Sequence, residues 1–216
     1  NTLVVIEGAD SRTLDPLYAA DESSFLYFGV VLESLVTIGK KFTPTPWLAT
    51  SWQSTPDHLH WTVELRRGVR WSDGAPFTSA DVVWTWHAML DPKTGFPYAG
   101  QFSYIKDVVP LGDYAVRFDL KTTNALFVSA ALNSPIMPEH IRAKTPDAQL
   151  STSSFAQHPI GTGPYELQHW DHDSDATFVR NPHWWHGEAK IPRITFEIVL
   201  YSDARDEAME NRSADL

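Results

Sequence analysis

The stretch Trp61-Thr62-Val63-Glu64-Leu65-Arg66-Arg67-Gly68-Val69-Arg70-Trp71-Ser72-Asp73-Gly74, followed by Thr78-Ser79-Ala80-Asp81-Val82-Val83, decides the fold. Trp61, Val63 and Leu65 alternate with Thr62 and Glu64, the period-two pattern of a half-buried strand. Before it, Pro46-Trp47-Leu48-Ala49-Thr50-Ser51-Trp52 reads as a partner strand. After it, Trp71-Ser72-Asp73-Gly74 reads as an exposed aromatic turn. Thr78-x-x-Asp81 is then a variant of the capping box, the threonine accepting from the first turn while the acid reaches back. Val82, Val83, Trp86 and Leu90 continue a helix that Asp91-Pro92 stops, because proline disfavours helical geometry in the residue before it.

Outward from this nucleus the chain alternates strands and helices. Leu3 to Ile6 is a short apolar run suited to a strand buried on both faces, as in a parallel sheet. Asp21 or Ser23 caps a helix running through Phe25, Phe28, Leu32 and Leu35, with Gly39 at its end. Phe42-Thr43-Pro44-Thr45-Pro46 is a stiff proline connector. Val116, Phe118 and Leu120 form another alternating strand, and Asn124 caps a short apolar helix to Leu132. Residues 147–154 are polar loop. Tyr165 to Trp170 and Ala176 to Arg180 form a hairpin around the acidic tip Asp171 to Asp175. Ile194 to Leu200 is an apolar strand, and Ser202 caps a last helix from Asp203 to about Asn211. There is no internal repeat.

Composition excludes several classes. The 216 residues are 43% apolar and include 9 Trp, 7 Tyr and 11 Phe, enough for a core and for an aromatic-lined pocket. The net charge is −10, and the longest basic run is a pair. Nucleic acid is therefore not an expected partner, since phosphate neutralisation needs clustered Lys and Arg. With no cysteine there is no disulfide, thiol nucleophile or thiolate metal site. No apolar run reaches the roughly 18–20 residues of a membrane-spanning helix. The start, Asn1-Thr2-Leu3-Val4-Val5, opens directly on a strand, as a processed or a trimmed chain would.

Catalytic motifs fail one by one. Gly161-x-Gly163 lacks the third glycine of a dinucleotide site. There is no Walker lysine motif and no Gly-x-Ser-x-Gly elbow. Asp171 and Asp173 sit on a hairpin tip, whereas paired glycosidase carboxylates face each other across a cleft. His58 with His60, His169 with His172, and His183 with His186 carry no strict metal spacing, so neither metal nor catalytic residues are assigned and no cofactor is expected.

The segments Leu48-Ala49-x-Ser51-Trp52, Leu65-Arg66-x-Gly68-Val69-x-Trp71-x-Asp73-Gly74-x-Pro76-x-Thr78, Asp81-Val82-Val83, Gly161-Thr162-Gly163-Pro164-Tyr165, Arg180-Asn181-Pro182-x-Trp184-Trp185 and Ser213-Ala214-Asp215-Leu216 occur in order. Together they resemble the N-terminal part of the family 5 extracytoplasmic solute-binding proteins of peptide and nickel ABC importers. The resemblance implies an α/β chain, a type II periplasmic-binding-protein-like clamshell. Here it would comprise only the first lobe with its inserted α+β subdomain: residues 1–42 and 159–216 as the lobe and 43–158 as the insertion. The second lobe would lie beyond Leu216, so this chain alone is expected to bind ligand weakly and to expose an apolar face.

By the same resemblance the chain binds and does not catalyse. It would capture di- or oligopeptides outside the cytoplasmic membrane, as a monomer, and deliver them to an ABC permease. Nickel chelates, oligosaccharides and opines are alternative ligands, and a sensor module or a hydrolase are alternative roles. A periplasmic or other extracytoplasmic location follows, with lipid anchoring of the parent left open. The loop after the first strand (Ala9, Asp10, Ser11) would line the cleft at the carboxyl end of the sheet. Asp10 is a candidate for neutralising a ligand amine. Tyr98, Phe102, Tyr104 and Trp184 are candidate aromatic ligand contacts.

Overall fold

In the computed structural model, which describes residues 2–211 and 213–216, the alternating segment is realised as strand β5. Ahead of it run β1 (Thr2–Glu7), α1 (Glu22–Gly29), β2 (Val36–Ile38), β3 (Pro44–Pro46) and β4 (Ala49–Ser54); β5 itself is His60–Leu65. Next come α2 (Ser79–Leu90), β6 (Ile105–Pro110), β7 (Ala115–Leu120) and the short helices α3 (Glu139–Arg142) and α4 (Ser154–Gln157). β8 (Tyr165–Asp171), β9 (Asp175–Arg180), β10 (Arg193–Ile198) and α5 (Ser202–Glu210) close the chain.

Two four-stranded sheets organise these elements. One is antiparallel throughout, in the order β4-β5-β7-β6. Its inward residues Val63, Leu65, Val116, Phe118 and Val108 pack under α2, whose Trp86 is fully buried edge-on to Phe118, ring centroids 5.6 Å apart. The other has the order β1-β10-β9-β8, with β1 parallel to β10 and the remaining pairs antiparallel. Tyr27 of α1 packs on its Phe178 and Phe196. Thus α1 presents Phe28 to one core and Tyr27 to the other.

The capping box at α2 is complete: the Thr78 hydroxyl accepts from the first turn, and the Thr78 backbone N–H donates to Asp81 at 2.8 Å. Asp81 does more than cap. Its second oxygen accepts from the Glu139 N–H at 2.8 Å, and the Trp71 indole donates at 3.4 Å to the oxygen that Thr78 N–H also meets. Trp71 is therefore not the exposed turn residue expected; it is 0% exposed, because Asp81 gives its N–H a buried acceptor.

Other departures have equally local causes. β1 is half-buried rather than buried on both faces. α1 stops at Gly29, well short of Leu35, because the carbonyls of Val30 and Val31 accept from Tyr165 and Gly163. The proline connector contains β3, which pairs with β2 as a small hairpin. Asn124 accepts from the Leu126 N–H in a local turn but does not cap the helical segment that follows, which is π-helical over Phe127–Ala131 with Leu126 at its N-cap and no side-chain cap. Residues 147–152 form a 3-10 turn, and α5 begins at Ser202 itself, with no side-chain cap. β6 escaped the period-two reading because a bulge between Ile105 and Asp107 breaks its alternation.

The Gly161-Thr162-Gly163-Pro164-Tyr165 segment is a backbone splice between these layers. Gly163 N–H donates to Val31 O at 2.8 Å and Ser72 N–H to Gly161 O at 2.8 Å. A Cβ on Gly161 would lie 1.9 Å from Val31 O, and one on Gly163 2.6 Å from the same atom. The glycines are required by close approach of two backbones. A second long-range tie is the ion pair of Asp15 with Arg142, both side chains 0% exposed. Arg142 also stacks over Phe155 and donates to Ser153 Oγ.

Two outcomes follow. Gly161→Ala should lose about 3 kcal/mol or more of stability in urea denaturation, through backbone overpacking. Gly100→Ala, with nothing within 4 Å of its Cβ, should stay within about 0.5 kcal/mol of the parent. Burial pushes Asp81 up from 3.8 to about 6. The native state then holds the proton more tightly than the unfolded chain. Its contribution is full below the ordinary value and falls as pH rises to about 6. Measured against Asp81→Asn, the parent should lose about 2–3 kcal/mol between pH 4 and pH 7. A flat difference, or one rising with pH, would contradict this.

Candidate functional site

Where one face of α1 meets the segment after α2, aromatic side chains line an open groove of about 360 Å³. Asp91 ends α2 and starts the 3-10 turn Pro92–Thr94, and Gly95 at φ 72° reverses the chain. That reversal brings Phe96, Tyr98, Gln101 and Phe102 against Phe25 and Phe28. Phe25 lies 5.4 Å from Phe28 and 6.2 Å from Tyr98, centroid to centroid. Phe96 stacks nearly parallel on Phe102 at 6.3 Å. Pro16, Met89 and the Asn133-Ser134-Pro135 corner complete the wall. No lining residue carries a formal charge at neutral pH. The polar groups on offer are the amides of Gln101 and Asn133 and the hydroxyls of Tyr98 and Ser134. Such a surface suits a neutral, largely apolar group and uncharged hydrogen-bonding partners.

Of the residues singled out in the sequence, Tyr98 and Phe102 meet in this groove. Tyr104 turns away from it: its hydroxyl is buried without a partner, and burial pushes its pKa up to about 12. Ala9, Asp10 and Ser11 border α1 on another side. The Ala9 carbonyl accepts from Ser23, and the buried Ser11 hydroxyl donates to Thr13 O and contacts Ser24 Oγ. The Asp10 carboxylate accepts from the Trp170 indole at 3.0 Å, His172 at 2.7 Å, Asp173 N–H at 3.2 Å and Ser11 N–H at 2.8 Å. Those bonds pin the loop after β1 to the β8–β9 turn and use the lone pairs a ligand amine would need.

Trp184 belongs to a different cluster. Its indole donates to Glu33 at 3.0 Å, alongside Trp47 at 2.7 Å and Trp185 at 2.9 Å. Glu33 is 7% exposed, and burial raises its pKa despite the indole bonds, which pull it down. Arg66 lies 4.1 Å over the Trp185 ring and donates to Trp47 O at 2.9 Å. This hub ties the end of β9 to the entry of β4.

Pattern reading missed Phe25, Phe28, Phe96, Gln101 and Asn133 as groove residues. Phe25 and Phe28 share a helical face and read as core, yet Phe25 is 42% exposed. Among the described residues no cluster of three or more His, Asp or Glu could hold a metal. Three of the paired histidines are used locally: His58 with Ser54, His60 with Asp119 and His172 with Asp10. Asp171 and Asp173 lie at the exposed β8–β9 turn.

The model of the bacterial extracellular solute-binding proteins, family 5 Middle, matches residues 43–216. The periplasmic oligopeptide-binding protein OppA of Haemophilus influenzae is 31% identical over 99% of this chain and 42% of its own length. The solved oligopeptide-binding protein AppA of Bacillus subtilis, in complex with a nonapeptide, superimposes with a TM-score of 0.95 at 25% identity. That match covers all of this chain and 43% of AppA. NikZ of Campylobacter jejuni, in complex with Ni(L-His), gives 0.90 at 28% identity over 99% of this chain and 42% of its own. The chain belongs to the family 5 bacterial extracellular solute-binding proteins. It spans about two-fifths of the length of these relatives.

If the Glu33 hub joins the layers as described, Glu33→Ala should cost about 3–5 kcal/mol by leaving three indole N–H groups without a buried acceptor. Trp184→Phe, which removes one donor and keeps most of the packing, should cost about 1 kcal/mol. Chemical denaturation midpoints at constant m-value check both.

Proposed function

We propose that this chain forms one wall of the ligand cleft of an extracytoplasmic solute-binding protein, that the ligand is a di- or oligopeptide, and that an ABC permease receives it. The observation that carries this reading is the uncharged aromatic groove, open on one side, on a chain of this family. An extended peptide presents alternating side chains and neutral backbone amides. Phe25, Phe96 and Tyr98 offer apolar contact for the former, and Gln101 and Asn133 offer hydrogen bonds to the latter. The nickel chelate bound by the relative NikZ is the alternative ligand class. The proposed division is a lobe of residues 1–42 and 159–216 with 43–158 inserted. The proposed role is binding without chemistry, by a monomer. Tyr98 and Phe102 are proposed ligand contacts; Ala9, Asp10 and Ser11 are proposed to fix the loop at the rim.

One wall buries little ligand, and a clamshell gains affinity by closing two surfaces on it. The apolar exposure of Leu200, Tyr201 and Leu216 fits a surface that further polypeptide would cover. Calorimetric titration with tri- to pentapeptides should therefore give at most millimolar binding to this chain. A chimera carrying the remainder of AppA after Leu216 should bind in the micromolar range or better, and Tyr98→Ala in it should weaken binding about tenfold or more. Tight binding to this chain alone, or an indifferent Tyr98→Ala chimera, would overturn the assignment of the groove.

A further inference from the structure

The hairpin of β2 and β3 ends in Lys40-Lys41-Phe42, and Phe42 is 90% exposed, the most exposed large apolar side chain described. Its placement is held by the backbone. Lys41 and Phe42 both adopt left-handed geometry, at φ 67° and 58°, which non-glycine residues seldom take. The turn is fixed by Gly39 N–H donating to Thr43 O at 2.9 Å, Phe42 N–H to Gly39 O at 3.2 Å, and the Thr43 hydroxyl to Lys40 O at 3.0 Å. Two strained residues that keep an aromatic ring in solvent are an outlier that folding alone does not require.

Charge distribution singles out the same tip. No acidic residue occurs between Glu33 and Asp57, and Glu33 is buried under its three indoles. Among the described residues neither Lys40 nor Lys41 has a carboxylate partner. In a chain of net charge −10 this is a local cationic point with an apolar apex. Beyond about 10 Å the repulsion from the rest of the surface is screened at physiological salt.

We propose that the Lys40-Lys41-Phe42 tip docks on an anionic lipid surface, the phenyl ring entering the interfacial region and the two ammonium groups meeting lipid phosphates. Aromatic residues favour that interface, and lysines reach its phosphates on flexible stems. A protein partner fits less well. A stable protein interface buries on the order of 1,000 Å² or more, whereas this apex is one ring flanked by two lysines on a narrow hairpin. The contact would be weak and reversible, and would orient the molecule at a membrane rather than anchor it.

Vesicle co-sedimentation of the chain at about 50 mM salt tests the tip, with millimolar lipid as either phosphatidylcholine containing one-third phosphatidylglycerol or phosphatidylcholine alone. Partition into the anionic vesicles should exceed that into the neutral ones by about tenfold and fall toward it at 0.5 M salt. Phe42→Ser and the pair Lys40→Gln with Lys41→Gln should each lower anionic partition by about tenfold, with unchanged thermal unfolding because all three side chains are exposed. Absence of partition by the parent, equal partition into both vesicles, or variants that bind as the parent does would overturn the proposal.

Discussion

One buried carboxylate, Glu33, receives the indole N–H groups of Trp47, Trp184 and Trp185. The donors come from two places far apart in sequence, the entry to the antiparallel sheet and the loop after β9. Taking a carboxylate out of water is costly unless its lone pairs are filled, and three indoles fill them while adding apolar surface of their own. Glu33 also holds Ile136 through its backbone carbonyl. The position of one sheet relative to the other, and with it the groove beside α1, depends on this hub and on two further ties. One is the buried Asp15–Arg142 pair; the other is the glycine splice between Gly161–Gly163 and Val31.

The motifs of the family thus have separate physical jobs. Gly161 and Gly163 permit backbone contact, Trp184 and Trp185 close the hub, and Thr78 and Asp81 cap α2 while Asp81 draws Trp71 inward. None of these residues lines the groove. They build a frame, and the aromatic groove residues sit in the irregular segment 96–102 and on one face of α1. A frame fixed by tryptophans and glycines outside the groove leaves the groove's own chemistry free to vary.

Local pattern carried the strands with clean alternation, β5 and β7, and the capped start of α2, because their causes lie within a few residues. Tyr98 and Phe102, singled out through the family resemblance rather than through local pattern, both line the groove. What local pattern could not carry depended on partners distant in the chain. Trp71 is buried by an acid ten residues on, and α1 ends early because residues 163 and 165 take the carbonyls of Val31 and Val30 that follow it. Asp10, which by itself looked free to meet a ligand amine, is held by residues 170–173. Phe25 and Phe28 showed the spacing of core residues, and only the reversal at Gly95 turns them into a groove wall.

The most direct measurement is hydrogen exchange at the indole Nε1 positions, followed by nitrogen-15 NMR of the tryptophan side chains. If Glu33 joins the layers, the indole protons of Trp47, Trp184 and Trp185 will be protected and will exchange with one shared opening free energy close to that of the surrounding core. Exchange of the three at unrelated rates, or at the rate of a solvent-exposed indole, would show that the hub does not hold the two sheets together.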